Sequence, residues 1–208
     1  MKYFDWKNKL ARRSDMTGFL VHLTKGKETA DGMSAINNLV KILKDKKLKG
    51  SDTKSGFIVG NQTAVCLQDT PIYSLTENIY YEQMLRKENK EKKIRYLGFG
   101  IMFEKTFIYK KGGRPVIYEK TSDAKLFLPK DQWWRIVNFD LEDEDKIIDW
   151  THEREWRVCG DLEFNLSEIR VIVPNHKALK ALISKCNYEG INIVEDTKSI
   201  INLSDTFF

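Results

Sequence analysis

Cysteine is scarce in this sequence, and its few copies are poorly placed for the sites that cysteines usually build. Only three occur in 208 residues, Cys66, Cys159 and Cys186, and no two of them have the CxxC spacing of a structural zinc site. Three cysteines cannot all pair with one another, so the sequence argues against a disulfide scaffold as well as against a zinc fold. We expect reduced thiols.

Long apolar runs are also missing. No stretch approaches the roughly 18 residues that a membrane-spanning helix needs, and residues 1–15 lack the apolar centre of a signal peptide. Disorder is excluded as well, because 41% of the residues are hydrophobic and 12% are aromatic. The chain has no internal repeat and no Pro- or Ser-rich linker. We therefore expect one cytoplasmic domain over residues 1–208, without a membrane partner.

The net charge of +5 is modest, but it is unevenly distributed. Residues 41–49 hold five lysines against one acidic residue, and residues 86–93 hold five positive residues against two acidic ones. Such runs can bind nucleic-acid phosphates, although they more commonly form a solvated helix face or a loop. Residues 140–149 reverse the sign, with six acidic residues and one lysine. Aromatic residues do not alternate with the lysines, so a stacking platform for single strands is not indicated.

Hydrophobic periodicity predicts strands and helices that do not alternate strictly. The helices are predicted at 33–47, 71–86, 130–140 and 175–187. The strands are predicted at 18–24, 57–60, 63–68, 95–109, 115–119, 154–159, 168–173 and 191–195, the second and third as a hairpin. This order favours an α+β fold, in which helices flank a mixed or antiparallel sheet core, over a doubly wound parallel sheet.

The first predicted strand contains one of only three histidines. His22 lies in the segment Val-His-Leu-Thr, and strand alternation places His22 and Thr24 on one face. Val21 and Leu23 then share the other face. Two polar groups side by side can hold a ligand hydroxyl or amide. The alternative is a structural histidine whose hydrogen bonds are satisfied on a half-buried strand, which is the more common situation.

A second polar segment, residues 149–157, carries two glutamates between two tryptophans. If the segment is a strand, Glu153 and Glu155 point to the same face, where two like charges raise one carboxyl pKa and suit a general acid or base. Arg154 and Arg157 can offset part of the repulsion. The alternative is a surface ion-pair ladder that contributes little.

Two other chemistries have weaker support. Asp149, Glu153 and Glu155 are the acidic set that a metal-dependent nuclease could use, but their spacing is not diagnostic. Cys66 has no local signature of a nucleophile, so a buried structural cysteine is expected there.

Several segments resemble known families. The chain is similar over most of its length to an uncharacterised bacterial family associated with abortive infection and phage defence, in the phrases LARRSDMTGFLVHLT, AVCLQDTP, GGRPVIY and DWTHEREWRV. A strand with His-x-Thr, a helix like NNLVKILKDKKLKGS and a late Glu-x-Glu pair also resemble the ADP-ribosyltransferase fold of DarT-type toxins and poly(ADP-ribose) polymerases. His22, Thr24 and Glu155 stand in the order that this fold uses.

This resemblance implies an NAD-dependent transferase with an ADP-ribosyltransferase-like fold and NAD as a substrate. His22 would hydrogen-bond the nicotinamide ribose, and Thr24 would support that pocket. Glu155 would bind the ribose 2′-hydroxyl and stabilise the oxocarbenium-like transition state. Glu153 would orient or deprotonate the acceptor.

The resemblance also implies contacts with the rest of NAD and with partners. Arg13 or Arg157 would contact the pyrophosphate as a bidentate donor. The tyrosine that stacks on nicotinamide in the polymerases would align near Met102, which is a departure, and Tyr96 is the nearby candidate. The acceptor would be nucleic acid or protein, and a toxin of this kind would have a cognate antitoxin.

Three functional interpretations stay open at this point. The first is an NAD-dependent ADP-ribosyltransferase of a bacterial defence or toxin system. The second is a non-catalytic interaction protein, an antitoxin or a phage sensor, with a degenerate fold of the same type. The third is a metal-dependent nuclease. Titration with NAD separates the first from the others, loss of activity with EDTA indicates the third, and a co-purifying partner indicates the second.

Overall fold

The computed structural model describes residues 1–24, 33–55, 57–88 and 97–206, which belong to two compact units. The first unit combines Met1–Lys47, Thr70–Glu104 and Phe164–Phe208. The second unit combines Leu48–Asp69 and Lys105–Glu163. Each unit is therefore assembled from segments that are distant in the sequence.

The described residues form seven α-helices and eleven strands. The helices are α1 (Tyr3–Ala11), α2 (Met33–Asp45), α3 (Ile72–Glu88), α4 (Lys105–Lys110), α5 (Thr121–Phe127), α6 (His176–Tyr188) and α7 (Ile193–Asp196). The strands are β1 (Phe19–Leu23), β2 (Lys47–Leu48), β3 (Ala64–Gln68), β4 (Gly100–Glu104), β5 (Arg114–Pro115), β6 (Ile117–Glu119), β7 (Ile136–Asn138), β8 (Glu155–Cys159), β9 (Leu162–Glu163), β10 (Ile169–Val173) and β11 (Ser199–Asn202).

The first unit is built on four strands in the order β11-β10-β4-β1. Strand β4 is antiparallel to both β1 and β10, whereas β11 is parallel to β10. Alternation along β1 is as predicted, because Phe19, Val21 and Leu23 pack into one apolar cluster with Leu75 of α3. The predicted first strand is confirmed, and His22 lies on the opposite face of it.

Helices α2 and α6 pack against each other in the first unit. The buried residues of α2 recur at helical spacing: Ala35, Ile36, Leu39, Val40 and Leu43. Helix α6 begins after Asn175, whose side-chain Oδ1 accepts a hydrogen bond from the backbone N–H of Ala178 at 2.9 Å. This bond satisfies one of the backbone donors that a helix leaves open at its first turn. The helices predicted at 33–47 and 175–187 are thus confirmed.

The second unit is built around strand β8. Strands β3 and β5 both run antiparallel to β8, one on each side. In this register Glu155 lies opposite Gln68, while Arg157 lies between Cys66 on β3 and Arg114 on β5. Strands β6 and β7 form a separate parallel pair against which α5 packs. The predicted strand at 154–159 is confirmed, and its central position places the 149–157 segment inside this unit.

Two predicted strands are wrong. Residues 57–60 do not form a hairpin, because Gly60 adopts a φ of +92° and the chain leaves the extended conformation there. Residues 191–195 were predicted as the last strand, but Ile193 begins the short helix α7 and the last strand is β11. A short apolar run fits a strand or a buried helical turn equally well, so periodicity alone could not separate them.

For two further segments, the predicted kind of secondary structure is only partly right. The strand predicted at 95–109 ends at Glu104, and the chain continues as helix α4. The helix predicted at 130–140 is a 3-10 helix over Lys130–Arg135 that is followed by β7.

At the level of fold class, the described residues show an α+β arrangement. Four of the six strand pairings described above are antiparallel and two are parallel, and helices flank the strands. The α+β prediction with a mixed or antiparallel sheet is confirmed at this level. None of the helices in the described part of the chain is long and apolar enough to cross a bilayer.

Candidate functional site

A buried ion pair joins Glu155 and Arg157 on strand β8. Nε of Arg157 donates to Oε1 of Glu155 at 2.8 Å, and Nη2 donates to Oε2 at 3.3 Å. Only 7% of Glu155 and 2% of Arg157 is exposed. A carboxylate in such a place is stable because its counter-ion is buried with it. The pair therefore fixes a negative charge at one point in the second unit.

The guanidinium of Arg157 is fully engaged. Besides the two bonds to Glu155, its Nη1 donates to the carbonyl oxygens of Trp134 at 2.8 Å and Ile136 at 3.0 Å, and its Nη2 donates to that of Phe57 at 3.1 Å. These bonds account for all five N–H groups of an arginine. The structure therefore leaves Arg157 no donor for a pyrophosphate, which corrects the role that the resemblance implied for it.

Charge and burial also determine the state of Cys66, which lies opposite Arg157 in the β3–β8 pairing. Burial, reinforced by the nearby Glu155 carboxylate, raises the pKa of the Cys66 thiol far above its ordinary value. Burial alone would lower the pKa of Arg157, but the Glu155 carboxylate more than offsets it and the pKa is raised. At neutral pH the site thus holds a protonated thiol and a charged arginine, and Cys66 is not activated as a nucleophile.

Tyr118 of β6 contacts the backbone of the same glutamate. The N–H of Glu155 donates to Oη of Tyr118 at 2.7 Å. Burial raises the pKa of Tyr118 to about 12, so the phenol keeps its proton at neutral pH and can act as a hydrogen-bond donor. Sequence reasoning missed this residue. The sequence does predict a strand at 115–119, which includes Tyr118. It does not indicate that the Tyr118 side chain contacts β8.

The backbone turns sharply just before Glu155. Thr151–Glu153 form a 3-10 helix, and Arg154 has a φ of +44°, in the left-handed region that non-glycine residues rarely adopt. Glu153 and Glu155 are therefore not two positions of one strand, and the alternation that would place them on a common face does not apply. Glu153 is half-buried on the 3-10 helix, whereas Glu155 is buried at the start of β8.

His22 and Thr24 lie in the first unit. His22 is half-buried on β1, and Thr24 follows the strand and is buried, with its N–H donating to the carbonyl oxygen of Phe99 at 2.7 Å. The Oγ1 atom of Thr24 is buried without a hydrogen-bond partner among the described residues. A buried hydroxyl in this condition costs about 1–3 kcal/mol, and a polar ligand atom would remove that cost.

Arg13 and Tyr96 are the other two residues that the resemblance implies for NAD binding. Arg13 follows α1 and is exposed, and its Nε and Nη2 donate to the carboxylate of Asp15 at 2.9 and 2.8 Å. This bidentate geometry is the one that arginine also uses toward phosphate. Tyr96 lies outside the described residues.

The acidic set considered for a nuclease does not converge. Within the described ranges, no three or more His, Cys, Asp or Glu side chains are placed to hold a metal ion. Asp149 is exposed, and its carboxylate accepts hydrogen bonds from the backbone N–H and hydroxyl of Thr151, which lower its pKa. Asp149, Glu153 and Glu155 thus lack the arrangement that the third interpretation needs.

Comparison with known proteins supplies no relative from which a role could be transferred. No family model, no curated protein and no solved structure matches the chain. Its function therefore has to be inferred from the residues described above and from the resemblance of their motifs.

Proposed function

We propose that this chain is an NAD-dependent ADP-ribosyltransferase of a bacterial defence or toxin system, acting on a nucleic-acid or protein acceptor. The proposal is supported by the motif resemblance and by one structural observation, the buried Glu155 carboxylate that Arg157 holds in place. A cognate antitoxin is part of the same proposal.

The Glu155 carboxylate suits the cleavage of a glycosidic bond. When nicotinamide leaves NAD, positive charge develops on the ribose, and a fixed anion in a water-poor site stabilises that charge with little reorganisation. A carboxylate offers about four acceptor positions, of which the Arg157 bonds use two and the Cys66 thiol uses another. Capacity therefore remains for a ribose hydroxyl. Tyr118 and the turn at Arg154 hold the backbone at this point.

His22 and Thr24 are proposed to contact the nicotinamide ribose. The orphaned Thr24 hydroxyl supports this role, because a ligand hydroxyl or amide would supply the partner that the described residues do not. Of the two arginines considered for the pyrophosphate, Arg13 is retained, since its partner Asp15 is exposed and can exchange for another anion. Glu153 is retained as the residue that orients the acceptor.

A second candidate function is a non-catalytic interaction protein. The observation that favours it is the charge compensation of Glu155, because a glutamate whose charge is matched by a buried arginine is also a common structural element. Under this interpretation the Glu155–Arg157 pair organises the second unit and NAD is not turned over.

The experiment is a measurement of nicotinamide release from NAD by the wild-type protein and by Glu155→Gln, with total RNA, DNA and cell protein offered as acceptors. We expect turnover in the wild type and a loss of about 10²–10³-fold in the variant, the range seen when one electrostatic stabiliser is removed. In the same series, His22→Ala is expected to weaken NAD binding by roughly tenfold, which corresponds to one hydrogen bond.

Controls separate a catalytic role from a folding role. Glu144→Gln removes an exposed glutamate of the same unit and should leave turnover unchanged. Glu155→Asp keeps the charge beside Arg157 but withdraws it by one methylene, so it should fold and still lose most of the activity. Turnover that persists in folded Glu155→Gln contradicts the proposal. A wild-type protein that neither binds nor consumes NAD with any acceptor favours the second candidate.

A further inference from the structure

A cluster of positive side chains surrounds the turn between α4 and β5 in the second unit. Lys110 ends the helix, Lys111, Gly112 and Gly113 make the turn, and Arg114 begins the strand. Gly113 fits here because a Cβ at this position would lie 2.4 Å from Cγ2 of Ile108, too close for any other residue. The turn therefore places Arg114 directly beside the end of the helix.

Backbone carbonyl groups hold two guanidinium groups at this turn. Nη1 of Arg114 donates to the carbonyl oxygens of Tyr109 at 3.1 Å and Gly113 at 2.7 Å. Nε and Nη2 of Arg135 both donate to the carbonyl oxygen of Pro115, at 3.2 and 3.1 Å. Each arginine has five N–H groups and uses two of them in these bonds, so three on each are not engaged by the described residues.

The positive charge of this cluster is not compensated in the described part of the chain. No carboxylate of the described residues lies within ion-pair distance of Lys110, Lys111, Arg114 or Arg135. Burial, together with the charge of the nearby Arg114, lowers the pKa of Arg135. The helix dipole favours lysines at the C-terminal end of a helix. It does not explain why two arginines lie close together here.

An exposed aromatic ring lies in the same cluster. The guanidinium carbon of Arg114 stands 4.0 Å from the centre of the Tyr109 ring, and 54% of Tyr109 is exposed. This cation–π contact holds the guanidinium beside the ring, and the fork of N–H groups of an arginine matches the oxygens of a phosphate.

We propose that Lys110, Lys111, Arg114 and Arg135, with Tyr109, form a binding site for the phosphate backbone of a single-stranded nucleic acid. Four cations exceed what one pyrophosphate needs and suit a chain of phosphates. An exposed aromatic ring among them is a feature of single-strand binding sites. The site consists of other residues than the lysine-rich segments at 41–49 and 86–93. In the proposed transferase such a strand is the acceptor, and that role alone rests on the proposed function.

The test measures binding of a fluorescein-labelled 20-nucleotide single-stranded RNA at several salt concentrations, without NAD. We expect the wild type to bind with an affinity that falls as salt rises. Arg114→Gln/Arg135→Gln should lower the salt slope by about 1.4 and weaken binding by about 25-fold at 0.1 M salt, since each lost contact on a single strand contributes about 0.7 to the slope.

Two further variants keep the test decisive. Lys110→Gln/Lys111→Gln removes two exposed charges that hold no backbone group in the described structure, and it should weaken binding to a similar extent without affecting folding. Lys177→Gln/Lys180→Gln on α6 removes the same charge from an exposed face of the first unit and should change binding less than twofold.

Three outcomes would overturn the proposal. They are a wild type that does not bind the RNA, a loss of affinity that is the same in the α6 control as in the cluster variants, and equal binding of poly-L-glutamate, which would make the ligand an acidic peptide. Because the assay contains no NAD, its result is independent of whether the chain is a transferase.

Discussion

The Arg157 side chain joins several segments of the second unit through its hydrogen bonds. Its guanidinium holds the Glu155 side chain and the carbonyl groups of Phe57, Trp134 and Ile136. The carbonyl groups come from two separate stretches of chain, and Glu155 comes from a third. At the scale of one residue, then, the same side chain stabilises the fold and sets the charge of the candidate site. A ligand contact made by Arg157 would have to break one of these bonds.

The residue-scale prediction concerns the loss of that guanidinium. Arg157→Met should lower the free energy of unfolding by about 3–5 kcal/mol, because Glu155 is left as a buried charge without its partner. Urea unfolding at pH 7 measures the change. Arg13→Met removes an arginine that is also bidentate but exposed, and it should leave the free energy of unfolding nearly unchanged. A loss for Arg157→Met as small as that of the control would show that the buried pair does not hold the unit together.

At the residue scale, the sequence predicts some members of the candidate site and not others, for a physical reason. Spacing from Glu153 predicts a role for Glu155, and charge and the resemblance predict one for Arg157. None of these signals shows that Arg157 turns inward and uses all its donors. Tyr118 was missed because its bond to Glu155 joins residues 37 positions apart. Contacts of that kind depend on strand pairing, and the pairing of β8 with β3 and β5 leaves no local pattern.

Elements with strong local signals were predicted well. Helix α2 has a complete apolar stripe, and β1 and β10 have dense apolar runs with clear ends. Elements of two to four residues were predicted poorly. The 191–195 segment became a helix, α7, because Ile193 can be buried from either conformation, and the surrounding chain decides between them.

The element-scale prediction concerns the start of α6. Asn175→Ala removes the side-chain acceptor for the Ala178 N–H and should lower the free energy of unfolding by about 1 kcal/mol. Asn175→Ser should restore most of this loss, because serine is also a good capping residue. Asn187→Ala, near the other end of the same helix, serves as the control and should change stability by no more than a few tenths of a kcal/mol. Equal effects at both positions would argue against the cap.

At the scale of the whole molecule, each unit holds a thiol with a raised pKa, Cys186 fully buried in the first unit and Cys66 partly buried in the second. Burial raises the pKa of Cys186 in the first unit to about 11, and it raises the pKa of Cys66 in the second unit even further, both from an ordinary value of 9.0. A folded thiol then keeps its proton under conditions in which the unfolded thiol loses it. Stability from these groups is complete below pH 9 and is lost as the pH rises toward the folded pKa values.

Because the folded thiols have the higher pKa values, the protein should lose stability in alkaline solution. The free energy of unfolding should fall above pH 9, by up to about 1.4 kcal/mol per pH unit for each of the two thiols. Urea unfolding between pH 8 and 10.5, in the presence of a reductant, measures the slope. Cys66→Ala/Cys186→Ala should flatten it, although the variant is less stable at pH 8. If the slope above pH 9 is the same with and without the two cysteines, the raised thiol pKa values are not its cause.

The segmental make-up of the two units has a consequence for the order in which they can fold during synthesis. The second unit ends at Glu163, so all of its strands have been made before the last segment of the first unit exists. Strand β4 lies between β1 and β10, and β10 belongs to that last segment. The first unit therefore carries an incomplete sheet, with one edge of β4 unpaired, until the ribosome has added residues 169–173. Exposed edges of this kind are where nascent chains associate wrongly, so this interval is the vulnerable period in the production of the protein.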